Sequence, residues 1–276
     1  PPWPGGVGKR LQVARNTMFW NRGDGTFAEV GRYAGVEASD WSWQPVFLDV
    51  DLDGYEDLLV TNGHLHDVND RDSQAKFARV PKAKRSQVGL LMFPPNTTAN
   101  VAYRNLGNFK FAETGQAWGF NSPQTSHGIA TGDLDNDGFP DFYLGTGYPG
   151  YEALMPNRMF HNQGGKGFSD VSSAGGFAHL QKGHAVAFAD LDNDGDQDIF
   201  TELGGAYPGD AFTNALFESP GFNNHWITVK LVGKVSNRSA IGTRIHVRFN
   251  DSGTNRSVSQ WVNSGGSFGA KPLRRE

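Results

Sequence analysis

A nine-residue acidic phrase occurs three times in this chain of 276 residues and constrains its fold more than any other feature. The copies are the first acidic loop (residues 49–57), the second (133–141) and the third (190–198). Each has aspartate at positions 1, 3, 5 and 9 and glycine at position 6. Carboxylates this close repel one another unless a cation lies between them. Oxygen ligands on a flexible turn suit a hard ion such as calcium.

The predicted ligands are the four aspartates of each copy and the backbone carbonyl at position 7. We expect about three calcium ions per chain, one in each loop. The ligands would be Asp49, Asp51, Asp53, Tyr55 and Asp57 in the first loop, Asp133, Asp135, Asp137, Phe139 and Asp141 in the second, and Asp190, Asp192, Asp194, Asp196 and Asp198 in the third. The loops differ from EF-hands, which have glutamate at position 12, where this chain has Val60, Leu144 and Thr201.

Short apolar runs flank each acidic loop and predict strands. The first loop follows Phe47-Leu48 and precedes Leu58-Leu59-Val60, and the other two loops are flanked in the same way. The chain contains 36 glycines and 14 prolines, and no segment keeps helical periodicity beyond a few residues. We therefore predict an all-β fold in which each metal-binding loop joins two strands.

A second phrase, Asn-x-x-aromatic-x-Asn, recurs in phase with the acidic loops. It begins at Asn16, Asn100 and Asn157, and in a weaker form at Asn214. Successive acidic loops are 84 and 57 residues apart, which indicates an insertion of 27 residues within about residues 64–96. Four short strands per unit at a fixed period are typical of β-propeller blades. The chain would hold about three full blades plus a half.

These phrases resemble a known repeat family. Asn-x-x-Phe-x-Asn-x-Gly-Asp-Gly-Thr-Phe, followed by Asp-x-Asp-x-Asp-Gly-x-x-Asp, resembles the FG-GAP/VCBS repeat of integrin-α-type propellers. Residues 224–231, 236–242 and 264–268 resemble the ASPIC/UnbV module of cartilage-acidic-protein-like secreted proteins. The resemblance implies blades over residues 1–222 and a small β-module over residues 223–276.

The resemblance also implies a larger assembly and a cellular setting. Integrin-type propellers have seven blades, so we expect the missing blades upstream or an open arc closed by a partner. An extracytoplasmic location in a bacterium is implied, whether secreted, at the cell surface or periplasmic, with calcium bound and no defined activity. The chain contains no cysteine, so bound calcium would supply the stabilisation that disulfides often give to extracellular proteins.

The composition of the chain limits the classes of partner that it could bind. No apolar run reaches the roughly 18 residues that a membrane span needs. The aromatic residues follow the repeat and do not interleave with basic ones, which argues against nucleic acid. From His225 onward the chain has nine Lys or Arg residues and two acidic residues. This basic segment would bind an acidic partner or form a solvated surface. We expect a protein or glycan partner, with the chain as a subunit of a larger surface assembly.

Histidine and tryptophan mark a second candidate site. His127 and His184 each stand six residues before the first aspartate of their loop, where the first repeat has Trp43. Equivalent positions on innermost strands converge near a propeller axis. With His64 and His66, these residues would bind a ligand or a transition metal, or would hydrogen-bond backbone at the channel mouth.

We therefore predict a calcium-binding module for adhesion, partner binding or complex assembly, with the insertion as a specificity element. Two alternatives remain open. One is a metal-dependent enzyme, a lyase or oxidase, that uses the axial histidines. The other is a lectin with sugars stacked on Trp41, Trp43 or Trp118. No catalytic motif based on serine, cysteine, zinc or a phosphate loop is present in the sequence.

Overall fold

A computed structural model describes residues 15–148, 153–205 and 212–263, which fold mainly into small antiparallel sheets. The strands are β1 (Phe19–Asn21), β2 (Phe27–Glu29), β3 (Ser42–Leu48), β4 (Asp57–Asn62), β5 (Val101–Asn105), β6 (Phe111–Glu113), β7 (Ser126–Gly132), β8 (Asp141–Thr146), β9 (Arg158–Asn162), β10 (Phe168–Asp170), β11 (Gly183–Ala189), β12 (Asp198–Leu203), β13 (Ala215–Phe217), β14 (Arg244–Asp251) and β15 (Thr254–Trp261). The helices are α1 (Gly31–Ala34), α2 (Arg71–Arg79), α3 (Arg85–Val88) and α4 (Gly115–Trp118), with 3-10 turns at Lys82–Lys84 and Gly89–Met92.

The sheets follow the repeat. Strands β3-β4-β5-β6 form the first complete blade and β7-β8-β9-β10 the second. Strands β11-β12-β13 form a third sheet, and β1-β2 form a half blade before the first. Each acidic loop joins the first two strands of its blade, as in the pairing of Leu48 with Asp57. The predicted all-β fold of propeller-type blades is confirmed.

The sheets pack on one another through apolar side chains. A cluster that includes Leu59, Phe142 and Phe160 fills the space between the first and second blades. A second cluster, which includes Tyr143 and Ile199, joins the second and third blades. A third cluster packs the half blade against the first blade. Burying apolar area between successive blades is what stabilises a repeat fold of this kind.

The innermost strands are linked across blade boundaries. The side chain of Gln44 on β3 donates to the carbonyl of Ile129 on β7 and accepts from its N–H, both at 3.1 Å. The side-chain amide of Gln44 therefore replaces one pair of backbone hydrogen bonds of the kind that joins two neighbouring strands. Between the second and third blades the backbones approach closely, because a Cβ added at Gly145 would lie 2.9 Å from the carbonyl oxygen of His184. These links place the beginnings of β3, β7 and β11 side by side.

The insertion is folded and contains a short helix, α2, that the sequence pattern did not predict. Helix α2 begins after Asp70, whose carboxylate accepts the N–H of Ser73 at 2.7 Å. The ring of Phe77 on α2 packs against Phe93, with centroids 5.7 Å apart. An isolated β-bridge pairs His66 with Pro95 and closes the base of the insertion. A side-chain cap and one aromatic contact therefore hold a helix that its short apolar pattern did not predict.

The C-terminal part contains one hairpin, β14-β15, preceded by turns and irregular backbone over residues 222–243. The glycine-rich residues 264–268, on which part of the ASPIC/UnbV resemblance depends, lie outside the described residues. Across the described ranges, no helix is both long and apolar enough to cross a membrane.

Candidate metal centre

The three acidic loops share one backbone conformation. Position 4 is left-handed in each, with φ of 55° at Leu52, 56° at Asn136 and 66° at Asn193. The glycine at position 6 has φ between 90° and 97°, a region that other residues rarely adopt. In every loop its N–H donates to the carboxylate at position 1. The repeated glycine is therefore required by the turn that brings the aspartates together.

The carboxylates converge in each loop. Oxygens from three aspartates lie within 4.8 Å of one another in every copy. The groups are Asp49, Asp51 and Asp53; Asp133, Asp135 and Asp141; and Asp190, Asp192 and Asp194. These donor sets consist only of oxygen and match the preference of calcium or magnesium, although His161 also converges with Asp135 and Asp137 at the second loop.

Several of these oxygens are buried and lack a partner. They are Oδ1 of Asp49, Oδ1 of Asp51 and Oδ1 of Asp190. Asp49 is only 7% exposed, so neither solvent nor protein satisfies this atom. A buried acceptor without a partner costs about 1–3 kcal/mol, and more when it is charged. A cation at the centre of the loop would remove this cost, so the residues fit a metal ion.

Burial also disfavours the charged carboxylates. Burial first, and repulsion from the neighbouring aspartates of each loop second, raise the pKa of Asp49 and of Asp133 to about 6. Burial raises the pKa of Asp57 and of Asp141 to about 7. At neutral pH the negative charges of these buried carboxylates are unfavourable unless a cation compensates them. A bound divalent ion would compensate them and would lower their pKa values again.

The aspartate at position 9 has a structural role that the sequence did not predict. Asp141 accepts the N–H of Leu134 through Oδ2 at 2.9 Å and the N–H of Asn162 through Oδ1 at 2.8 Å. Asp57 and Asp198 make the same pair of bonds, to the second residue of their loop and to a residue at the end of the third strand (Asn105) or two residues beyond it (Ser219). Position 9 therefore ties each acidic loop to the third strand of its blade, in addition to its predicted place as a ligand.

The residues at position 7 differ in their side chains. Tyr55 is 55% exposed, and the ring of Phe139 lies 4.9 Å from the guanidinium carbon of Arg256. Asp196 accepts a hydrogen bond from Nδ2 of Asn136 at 2.8 Å. The carbonyls of these three residues remain predicted calcium ligands.

Side chains from the C-terminal segment lie on the tips of all three loops, which sequence analysis missed. Arg244 donates to the carbonyl of Gly54 at 3.0 Å, and Arg256 to that of Asp137 at 2.7 Å. Trp226 packs so closely on Gly195 that a Cβ added there would lie 1.8 Å from its ring. In the third loop the glycine at position 6 thus serves a second purpose, because it leaves room for the ring of Trp226.

The axial residues are partly assembled as the repeat phase predicted. Trp43, His127 and His184 each occupy the second position of an innermost strand. The ring of His127 lies 4.9 Å from Trp43 and 5.6 Å from His184, centroid to centroid. His64 stands beside Trp41 at 4.8 Å. The result is a cluster of aromatic and imidazole rings at one end of the inner strands.

His66 faces the insertion instead. Its Nδ1 lies 3.1 Å from the carbonyl oxygen of Phe93, so it bonds backbone. Among the described residues, the convergent three-ligand groups contain none of the four candidate histidines. Trp118, considered as a sugar platform, is 6% exposed within the core between the first and second blades, and that expectation is wrong.

His127 is the most strongly perturbed group of the cluster. It is 5% exposed and its Nδ1 has no hydrogen-bond partner. Burial, with smaller contributions from Lys182, His184 and His64, lowers its pKa to about 3. The imidazole is therefore neutral throughout the physiological pH range.

We expect His127 to make stability fall in mild acid. Its pKa is depressed in the folded state, so the unfolded chain takes up a proton as pH falls below about 6.5 while the folded chain does not, until about pH 3. Between pH 7 and pH 5 this loss is about 2 kcal/mol. His127→Phe should remove that part of the slope, measured by urea unfolding in saturating calcium. Equal slopes for the variant and the parent chain would contradict the assignment.

The fold and the acidic loops together define the class as a repeat protein of propeller-type blades. The family model of the FG-GAP-like repeat matches residues 11–60, 90–144 and 147–201, more than half of the chain. Each match ends shortly after an acidic loop. The chain belongs to the FG-GAP-like repeat family. A search of curated proteins found no match.

Proposed function

We propose that this chain is a calcium-stabilised, extracytoplasmic binding module that holds a protein partner or assembles with one. FG-GAP-like repeats suggest a propeller-type module for binding or adhesion. The observation that carries the calcium assignment is the set of buried carboxylate oxygens without partners in the acidic loops. In this proposal the loops stiffen the blades, and the rigid blades present a surface to the partner.

The proposed location follows from the type of site. The third loop is formed by the exposed aspartates Asp192 and Asp194, together with Asp190. Calcium sites on extracellular modules commonly have dissociation constants of about 0.1–1 mM, which suits such open loops. Sites of this strength fill where calcium is abundant, and the lack of cysteine leaves the metal as the stabilising link.

The C-terminal segment is proposed as an ASPIC/UnbV-like module that rests on the metal loops. Arg244 and Arg256 from its hairpin bond to loop carbonyls, whose positions a bound ion would set. Calcium would therefore support the docking of this segment as well as each blade. An anionic glycan or an acidic protein surface would suit its basic residues.

Direct calcium binding tests the proposal. Titration calorimetry on chelator-stripped protein should give a stoichiometry approaching three ions per chain. Asp135→Ala should reduce this number by one, because it removes the position 3 ligand of the second loop. Asp72→Asn on α2 changes an exposed acid outside the loops and should leave it unchanged. A chain that takes up no calcium near neutral pH would contradict the proposal.

A ligand site at the axial cluster is the second candidate function, favoured by the unpartnered Nδ1 of buried His127. Copper, iron or zinc found by elemental analysis of the purified protein would support the metal-dependent enzyme. Glycan-array binding that is lost in Trp43→Ala would support the lectin. Purification in a stoichiometric complex would support the assembly role.

A further inference from the structure

One side-chain position beside the acidic loops differs in charge among the three blades. It is the residue just after the aromatic of the Asn-x-x-aromatic-x-Asn phrase: Arg104, His161 or Glu218. In each blade the next residue donates its backbone N–H to the position 9 aspartate of the loop. The three residues therefore occupy equivalent backbone positions relative to their loops, but their side chains differ in charge.

Beside the first loop this position is Arg104, whose side chain is positively charged. The Nε of Arg104 donates to Oδ2 of Asp51 at 2.7 Å, and a terminal nitrogen donates to Oδ2 of Asp53 at 2.9 Å. The guanidinium thus joins the carboxylates at positions 3 and 5, both predicted calcium ligands. Oδ1 of Asp49, more than nine-tenths buried, still has no partner. Arg104 therefore offsets only part of the negative charge of this loop.

The other two loops have no fixed positive charge at this place. In the second, Nε2 of His161 lies 3.0 Å from Oδ2 of Asp135. In the third blade the equivalent residue is the exposed Glu218, which carries a negative charge, and the loop of that blade holds five aspartates. The charge of this one position thus runs from positive in the first blade to negative in the third.

We propose that this position grades the calcium affinity of the three loops, so that the third loop fills first and the first loop fills last. Calcium entering the first loop meets the repulsion of Arg104 and competes with it for Asp51 and Asp53. Arg104 in turn holds the first loop together when calcium is scarce. The inference rests on the proposed function, calcium binding by the loops, and assigns an order to it.

Coulomb's law sets the expected size. A unit charge that changes next to a divalent ion at a partly solvated site alters its affinity by about tenfold or more. The effect must weaken as salt is added, because both Arg104 and Glu218 are accessible to solvent. A purely structural role for Arg104 would not show this salt dependence.

The test uses the full chain with one loop left intact. In a background of Asp135→Ala and Asp192→Ala only the first loop binds, and Arg104→Gln should raise its calcium affinity about tenfold in calorimetry. In a background of Asp51→Ala and Asp135→Ala only the third loop binds, and Glu218→Arg should lower its affinity about tenfold. Both changes should shrink when potassium chloride is raised.

Arg158→Gln is the matched control. Arg158 lies on β9 and pairs with Asp170 at 3.3 Å, at the opposite end of the strand from the second acidic loop. The substitution Arg158→Gln removes a guanidinium, as Arg104→Gln does, and should leave the calcium affinity unchanged. If circular dichroism shows that a background variant misfolds, Glu218→Arg in the otherwise unchanged chain tests the proposal instead. It should abolish the tightest phase of calcium binding in calorimetry.

The outcomes separate the two proposals. Calcium binding by the first loop that is the same with arginine and glutamine at position 104 would overturn the grading alone. An unchanged chain that binds no calcium at all would overturn the proposed function itself. Affinities that move in opposite directions in Arg104→Gln and Glu218→Arg, and converge at high salt, are the expected result.

Discussion

Removal of calcium is expected to lower the melting temperature of this chain by roughly 10–20 °C at neutral pH. Calcium binds the folded loops and not the unfolded chain, so each occupied site adds about 2.7 kcal/mol at a free concentration one hundred times its dissociation constant. Without the ion, the clustered aspartates repel one another and the buried oxygens of Asp49 and Asp190 lose their only available partner. Differential scanning calorimetry with calcium and with chelator measures this difference.

Asp135→Ala assigns part of this effect to a single loop. In calcium it should lower the melting temperature by about one site's share, a few degrees. In chelator the variant should melt at the same temperature as the parent chain or slightly above it, because one repelling carboxylate is gone. Asp72→Asn is again the control outside the loops. Superimposable melting curves with calcium and with chelator would rule out calcium as a stabiliser of these blades.

Asp141→Ala is expected to destabilise the chain by about 3–5 kcal/mol, whether or not calcium is present. The carboxylate is 1% exposed and accepts two backbone N–H groups, those of Leu134 and Asn162. Alanine leaves both donors buried without an acceptor and separates the second acidic loop from β9. Urea unfolding in chelator should already show this loss of unfolding free energy, and the loss should be larger in calcium, because the variant also lacks a predicted ligand of the second loop.

Asp141→Asn provides the graded comparison. Its single carbonyl oxygen keeps one of the two acceptors, so the loss should fall between those of the parent chain and Asp141→Ala. Asp135→Ala provides the contrast, because its effect depends on calcium. If Asp141→Ala destabilised the chain only in calcium, the position 9 aspartate would be a metal ligand without the structural role assigned to it.

Much of the architecture could be predicted from local pattern. The acidic phrase, its period and the flanking apolar runs indicated strand pairs joined by a loop, and the structure has β3-β4, β7-β8 and β11-β12 in those places. The same phase placed Trp43, His127 and His184 at equivalent positions, which become neighbours because successive blades are related by the repeat. Periodic features are predictable because each copy repeats the same local geometry.

Features that break the repeat were not predictable in this way. Helix α2 depends on a cap by Asp70 and on the contact between Phe77 and Phe93. Trp118 looked like an exposed platform in the sequence, yet it lies in the core between two blades. Neither outcome leaves a periodic signal, because each depends on a partner brought near only when the insertion folds or the blades stack.

The amino-acid sequence by itself determined the number and place of the acidic loops, because alternate aspartates with glycine at position 6 leave one turn geometry that gathers the carboxylates. Only the tertiary structure decided what stands beside those loops. Arg104 reaches Asp51 from 53 residues away, and Arg244 reaches Gly54 from 190 residues away. Such contacts depend on how strands pair within a blade and on where the C-terminal hairpin docks. Local spacing encodes neither, so the charge environment of each loop could be known only from the folded chain.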